Sequence, residues 1–206
     1  MISWRRTHNE IVETIQKILL RNQPINHLSK ESHVRIEAKN LEHLNIQQID
    51  AVNLVKSEQI ILLSGGPGTG KTSTILQMLL EALTRNPTLS IAMAAPTGKA
   101  AKKLKDTIQA GIEDFEDPLK DKLSNIPSKT IHKWLEAGAN GFRRNSQRLL
   151  KLDLIIIDEM SMVDLSTING LLDALTKSCQ IILVGDPDQL LPCLLYTSPS
   201  PRDTNP

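Results

Sequence analysis

The stretch Gly65-Gly66-Pro67-Gly68-Thr69-Gly70-Lys71-Thr72 constrains this chain more than any other. It fits the pattern G-x-x-x-x-G-K-[ST]. An apolar run, Ile60-Ile61-Leu62-Leu63, precedes it, and a helix-like stretch over 73–83 follows. That strand–loop–helix setting separates a phosphate loop from a Gly-rich turn with a chance lysine. Glycines let the backbone fold into a nest of N–H groups facing phosphate oxygens. The following helix, opened by Ser73, adds its positive end. Lys71 has the reach for β- and γ-phosphates, and the Thr72 hydroxyl suits a Mg²⁺ ion. A bound nucleoside triphosphate follows from these residues; what its energy drives does not.

The rest of the chain supplies the sheet such a loop needs. From Leu44 onward the pattern predicts helix 46–55, strand 60–64, helix 72–84, a break at Asn86-Pro87, strand 90–95 and helix 98–110. An acidic, Pro-containing stretch, 113–121, follows. Then come a short helix 130–135, strand 153–157, helix 164–177 and strand 180–184. Strands alternating with helices imply an α/β fold, a parallel sheet with helices on both faces. Ligands of such sheets gather at the carboxyl ends of the strands. The phosphate loop, Ala95-Pro96-Thr97-Gly98, Asp158-Glu159 and Gly185-Asp186-Pro187-Asp188-Gln189 each start where a predicted strand stops. Ahead of this region, Ile11, Val12, Ile15, Ile18 and Leu19 recur at helical spacing, and Pro24 breaks a polar stretch. Residues 1–43 therefore read as a helical N-terminal segment, either an accessory domain or the stump of a longer one. The histidines at 8, 27, 33 and 43 show no metal-ligand spacing.

Composition limits the partners. A net charge of +1 rules out a global basic field, so any nucleic-acid contact must come from local patches. No apolar run approaches the ~20 residues of a membrane span, and the N-terminus lacks the apolar core of a signal peptide. The default location is cytoplasmic, with no membrane partner. Cys179 and Cys193 form neither a metal nor a redox spacing.

Four segments carry chemistry. Leu154-Ile155-Ile156-Ile157 ends in Asp158-Glu159, the first acid suited to a Mg²⁺ shell and the second to orienting water. Adjacent strand residues point to opposite faces, so both acids must lie just past the strand, where the chain turns. The amide of Gln189 can follow a γ-phosphate, although its surroundings also read as a Gly-Asp-Pro turn. Pro96, Thr97, Gly98 and Lys99 open a helix that also carries Lys102, Lys103 and Lys105. These groups suit a nucleic-acid backbone, and equally a solvated helix face with a capping threonine. Gln48 can donate to and accept from an adenine edge, or simply sit on an amphipathic surface.

In order, the strings LNIQQIDAV, LSGGPGTGKTST, AAPTGKAAKKL, SKTIHKWL, LIIIDEMSMVD and LVGDPDQL resemble a superfamily 1 DNA helicase of the RecD family, the alpha subunit of exodeoxyribonuclease V and its relatives. They run from Leu44 to about Leu190. The resemblance implies a RecA-like motor domain over 44–192 that uses ATP and Mg²⁺. In it, Gln48 would read adenine and Gly65, Gly66, Pro67, Gly68, Thr69, Gly70, Lys71, Thr72 and Ser73 would hold the phosphates. Thr72 and Asp158 would hold Mg²⁺, Glu159 would activate water, and Gln189 would couple the γ-phosphate to DNA. Pro96, Thr97, Gly98 and Lys99 would line a single-strand DNA path, with Thr130 and His132 nearby. The resemblance further implies 5′-to-3′ movement on DNA in recombination or repair, and RecB- and RecC-like partner subunits. It implies no nuclease site.

Members of that family continue into a second RecA-like domain whose arginine reaches the γ-phosphate, a group worth about 10³–10⁵ in rate in related phosphoryl transfers. The resemblance stops near Gln189, so the chain is expected to hold the first motor domain in part and to be inactive in unwinding by itself. The residues Cys193 to Asp203 match the translation of a transposon-type sequencing adapter, TGTCTCTTATACACATCT then CCGAGCCCACGAGAC. The region 193–206 is expected to be an adapter-derived tail; the other reading is a Pro/Ser-rich disordered one. Two other function classes fit the phosphate loop: a P-loop ATPase that is not a helicase, and a module whose docking surface is ordered by nucleotide.

Overall fold

The apolar run before the phosphate loop forms β1 (Ile60–Ser64), paired in parallel with β7 (Gln180–Gly185). The computed structural model describes residues 2–21, 44–113 and 119–186, with side chains of the first helix described from Glu10 onward. Three further strands complete one sheet: β6 (Leu154–Ile157), β2 (Ile91–Ala95) and β3 (Ser128–Thr130). Their order is β1-β7-β6-β2-β3, and every pairing in it is parallel.

Side chains alternate across this sheet with the two-residue period of a strand. Ile61, Ile182, Ile156 and Met93 stand in one cross-strand row, and Ile181, Ile155 and Ala92 in the next, on the opposite face. The first row packs beneath α2 (Ile46–Leu54), α3 (Lys71–Arg85), α4 (Gly98–Gly111) and α5 (Leu119–Ser124) through Val52, Met78, Leu79, Leu104, Ile108 and Leu123. The second packs against α6 (Ile131–Trp134) and α7 (Leu165–Ala174) through Ile131, Ile168 and Leu171. This is the parallel α/β sheet covered by helices on both faces that the sequence predicts. Helix α3 is buried along its whole middle, from Thr74 to Leu83, so the loop at its start rests on a fixed support.

The first helix, α1 (Ile2–Arg21), extends beyond both ends of the periodic run from Ile11 to Leu19 and lies against α7. Lys17 pairs with Asp173 at 2.8 Å, and Ile18 packs on the second core. Arg21 donates to the carbonyls of Leu172, Leu175 and Thr176. Those carbonyls lie at the end of α7, which stops at Ala174 instead of the predicted 177. Its next residue, Leu175, turns extended and bridges Leu150. Four of these elements were not legible in the sequence: α5, which begins inside the acidic, Pro-containing stretch 113–121, the strand β3, and a hairpin of β4 (Ala137–Gly138) with β5 (Gly141–Phe142). Cys179 is buried among apolar side chains, and that burial raises its thiol pKa to about 12, so it has no thiolate character. Gln189, the segment 22–43 with its histidines, and the tail 193–206 lie outside the described residues.

Candidate nucleotide-binding site

Strand β1 delivers the chain into the loop at its carboxyl end, where the Gly65 N–H donates to Gly185 O at 3.3 Å and fastens the loop to the end of β7. Thr69 closes the first half of the loop, its hydroxyl donating to Gly66 O at 2.8 Å. The second half needs glycine: Gly68 and Gly70 have φ of +77° and +80°, left-handed values that L side chains avoid. Gly70 then caps α3 without any side-chain hydrogen bond. The first N–H groups of α3 therefore have no side chain to satisfy them and are open to an anion. Lys71 begins this helix and folds back over the loop, donating to the carbonyls of Gly65 and, at 2.8 Å, Gly66.

The two acids stand where the sequence places them, beyond the end of β6. Asp158 N–H donates to Ala94 O at 2.9 Å, and its Oδ1 accepts from the Glu159 N–H at 2.8 Å. Glu159 adopts a φ of +54°, one of two positive values at non-glycine residues among those described. A left-handed L-residue costs roughly 1–2 kcal/mol, and such strain gathers where a side chain must face a particular way. Here the turn lets both acidic residues line the same cleft.

These parts line one cleft of about 520 Å³, within the range of small-molecule sites. Residues from Gly66 through Ser73 form one wall, and Asp158, Glu159 and Ser161 form another. Gly185 and Asp186 close the end toward β7. The remaining wall is α4, through Ala100, Lys103, Leu104 and Thr107. The sequence reading groups Lys103 with the other lysines of its helix. The structure turns it into the cleft, while Lys99 and Lys102 are not part of the lining. The i, i+3, i+7 spacing of Ala100, Lys103 and Thr107 puts them on one stripe of the helix, a signal the sequence already carries.

Gln48 does not line the cleft; it meets the loop from the α2 side. Asn45 and Gln48 form a reciprocal capping box, with 2.9 Å in each direction, and Gln48 Nε2 donates to Thr69 O at 3.2 Å. The residues expected on a nucleic-acid path lie at the other end of the sheet. Pro96, Thr97, Gly98 and Lys99 follow β2, and Thr130 ends β3 directly opposite Ala95. The pairing of β2 with β3 brings these segments together. Thr97 and Thr130 each cap a helix, accepting from Ala100 and Lys133 N–H at 3.2 Å. His132 is exposed and meets Phe142 edge to face at 6.1 Å. Lys129 stacks over Trp134 at 4.7 Å, and the Trp134 indole donates to Met93 O.

Among the described residues, no three His, Cys, Asp or Glu side chains converge as a metal site. A hydroxyl and one carboxylate beside a phosphate nest are nevertheless the donor set Mg²⁺ uses when substrate phosphates and water complete its shell. Thr72 and Asp158 offer that set, so the residues present fit the ion. No helix among the described residues is long and apolar enough to cross a membrane.

The sequence is similar to those of known proteins. The chain is 37% identical over 152 residues to the RecBCD enzyme subunit RecD of Mycolicibacterium smegmatis, covering 70% of this chain and 27% of that protein. It is 33% identical over 193 residues to the RecBCD enzyme subunit RecD of Haemophilus influenzae, covering 87% and 30%. To the ATP-dependent RecD2 DNA helicase of Deinococcus radiodurans it is 32% identical over 149 residues, covering 72% and 18%. The chain thus spans less than a third of the length of these relatives. Residues 48–194, from the capping box of α2 past the end of β7, match the AAA domain family, and by that match over most of its length the chain belongs to it.

Proposed function

We propose that this chain is the nucleotide-binding part of the first motor domain of an ATP-dependent DNA helicase subunit that works in recombination or repair and moves 5′ to 3′. The observation that carries the reading is the single cleft in which the phosphate loop, Asp158 and Glu159 converge. Lys71 leaves the carbonyls of Gly65 and Gly66 for the β- and γ-phosphates of ATP, and the open N–H groups of α3 receive phosphate oxygens. Thr72 and Asp158 hold Mg²⁺, which neutralises charge developing on the phosphates during transfer. Glu159 orients the attacking water, and Gln189 senses the γ-phosphate. Lys103, facing the cleft, serves the nucleotide. Pro96, Thr97, Gly98, Lys99, Thr130 and His132 serve a DNA strand crossing the ends of β2 and β3, where the helix caps and Lys99 suit a phosphate backbone. RecB- and RecC-like subunits are the partners, a reading supported by relatives named as RecD subunits.

Fluorescent ATP binding to the 206-residue chain tests the first half of this reading, with unwinding of a 5′-tailed duplex as the second measurement. Weak Mg²⁺-dependent binding, abolished by Lys71→Ala, with no unwinding, is expected. Equal binding by both proteins refutes the nucleotide site, and unwinding by the chain alone refutes its reading as part of a motor. In a longer protein containing it, hydrolysis indifferent to DNA favours a P-loop ATPase that is not a helicase.

A further inference from the structure

We infer that Gln48 is a positioning residue of the phosphate loop, so that one side chain serves both the base and the phosphates of the nucleotide; this rests on the nucleotide reading above. Gln48 is held at both ends. Its Oε1 accepts from Asn45 N–H at 2.9 Å, and its Nε2 donates to Thr69 O at 3.2 Å. The helix that carries it is itself anchored, since Val52 and Val55 pack in the same core as Ile75, Met78 and Leu79.

The contact with Thr69 matters because a trans peptide is planar, so its C=O and the next N–H point in opposite directions. Holding the Thr69 carbonyl toward α2 turns the Gly70 N–H away from α2, and Gly70 lines the cleft. Gly70 is the N-cap of α3, directly before Lys71, where the N–H groups of a phosphate nest gather. The fit there is close. A Cβ on Gly70 would lie 2.6 Å from Gln48 Nε2, so the amide fills the space a side chain would take. A carboxamide has two N–H donors and two acceptor lone pairs. The bonds to Asn45 and Thr69 use one of each. One donor and one acceptor remain, the pair an adenine edge requires. Base and loop therefore engage the same amide at once, and adenine binding braces the group that aims the Gly70 N–H.

The test separates the two ends of the nucleotide. Inorganic tripolyphosphate and adenosine are titrated calorimetrically into the 206-residue chain and its Gln48→Ala and Gln48→Met variants, with Mg²⁺ present and folding checked by circular dichroism. Loss of one neutral hydrogen bond predicts tripolyphosphate binding weakened about two- to tenfold in both variants, although tripolyphosphate has no base. Methionine keeps the length and packing of glutamine without its amide, so it carries the test should the alanine variant not fold. Adenosine binding weakened with tripolyphosphate unchanged overturns the inference and leaves Gln48 a reader of the base alone. A wild-type chain that binds neither ATP nor tripolyphosphate overturns the nucleotide reading, and this inference with it.

Discussion

Replacing Gly70 with alanine probes the loop at its tightest point. Two separable costs follow from the geometry. The φ of +80° places an L-residue in left-handed backbone, at roughly 1–2 kcal/mol. The new Cβ would also lie 2.6 Å from Gln48 Nε2. That atom ends a flexible side chain, so it yields, and the 3.2 Å bond to Thr69 O goes with it. A neutral hydrogen bond contributes about 0.5–1.5 kcal/mol. Gly70→Ala should therefore destabilise the chain by about 1.5–3.5 kcal/mol, the sum of those two ranges. In a Gln48→Ala background nothing stands in the way of the methyl group, and only the backbone cost of about 1–2 kcal/mol remains. Urea unfolding followed by circular dichroism, on wild type, both single variants and the double variant, measures the difference as a coupling energy. A coupling of about 0.5–1.5 kcal/mol is expected. Equal cost of Gly70→Ala in both backgrounds would refute the contact. A cost near zero in the wild-type background would refute the left-handed conformation of residue 70 as well.

Two further predictions concern charges. Lys103→Ala should weaken ATP binding about two- to fivefold, the scale of an exposed charge pair, and leave DNA affinity of a longer protein nearly unchanged. Lys99→Ala should do the reverse, lowering the salt slope of DNA binding by about one; identical phenotypes would dissolve the division of α4 into two faces. Asp164 caps α7. Burial opposes its ionisation, but bonds from Ser166 and from the Thr167 hydroxyl and N–H outweigh that and bring its pKa to about 2. A carboxyl lowered from 3.8 contributes stability that is present above that value and lost as pH falls through about 2. Solvent screening keeps the contribution at the scale of a helix cap, about 1 kcal/mol. Asp164→Ala should be less stable by that amount at pH 7, with a deficit that shrinks as pH falls through about 2, so a pH-independent deficit in thermal unfolding would contradict the assignment.

What proved legible in the sequence, and what did not, follows from the range of the forces involved. The strands β2, β6 and β7 announce themselves because strands buried on both faces have no polar positions to interrupt an apolar run; β1 carries an apolar run too, although it is an edge strand with Leu62 exposed. The caps by Thr97 and Asp164 are equally local, since a side chain there reaches a backbone N–H three residues on. Strand β3 gives no such signal. Three residues cannot display a period, and Ser128-Lys129-Thr130 becomes a strand because the edge of β2 offers unpaired backbone groups. The end of α7 was misjudged for a related reason: Arg21, about 150 residues away in the chain, takes the carbonyls at its terminus.

The candidate site divides the same way. The phosphate loop and the paired acids at the end of an apolar strand are written in consecutive residues, because a nest and a strand end are local structures. Which lysine of α4 enters the cleft, and that Gln48 leans on Thr69, depend on how helices pack over the sheet. The amino-acid sequence by itself determined that a phosphate-binding loop would sit at the carboxyl edge of a parallel sheet. Only the tertiary structure decided which distant side chains surround it, since burying both faces of that sheet is what brings α2 and α4 to its sides.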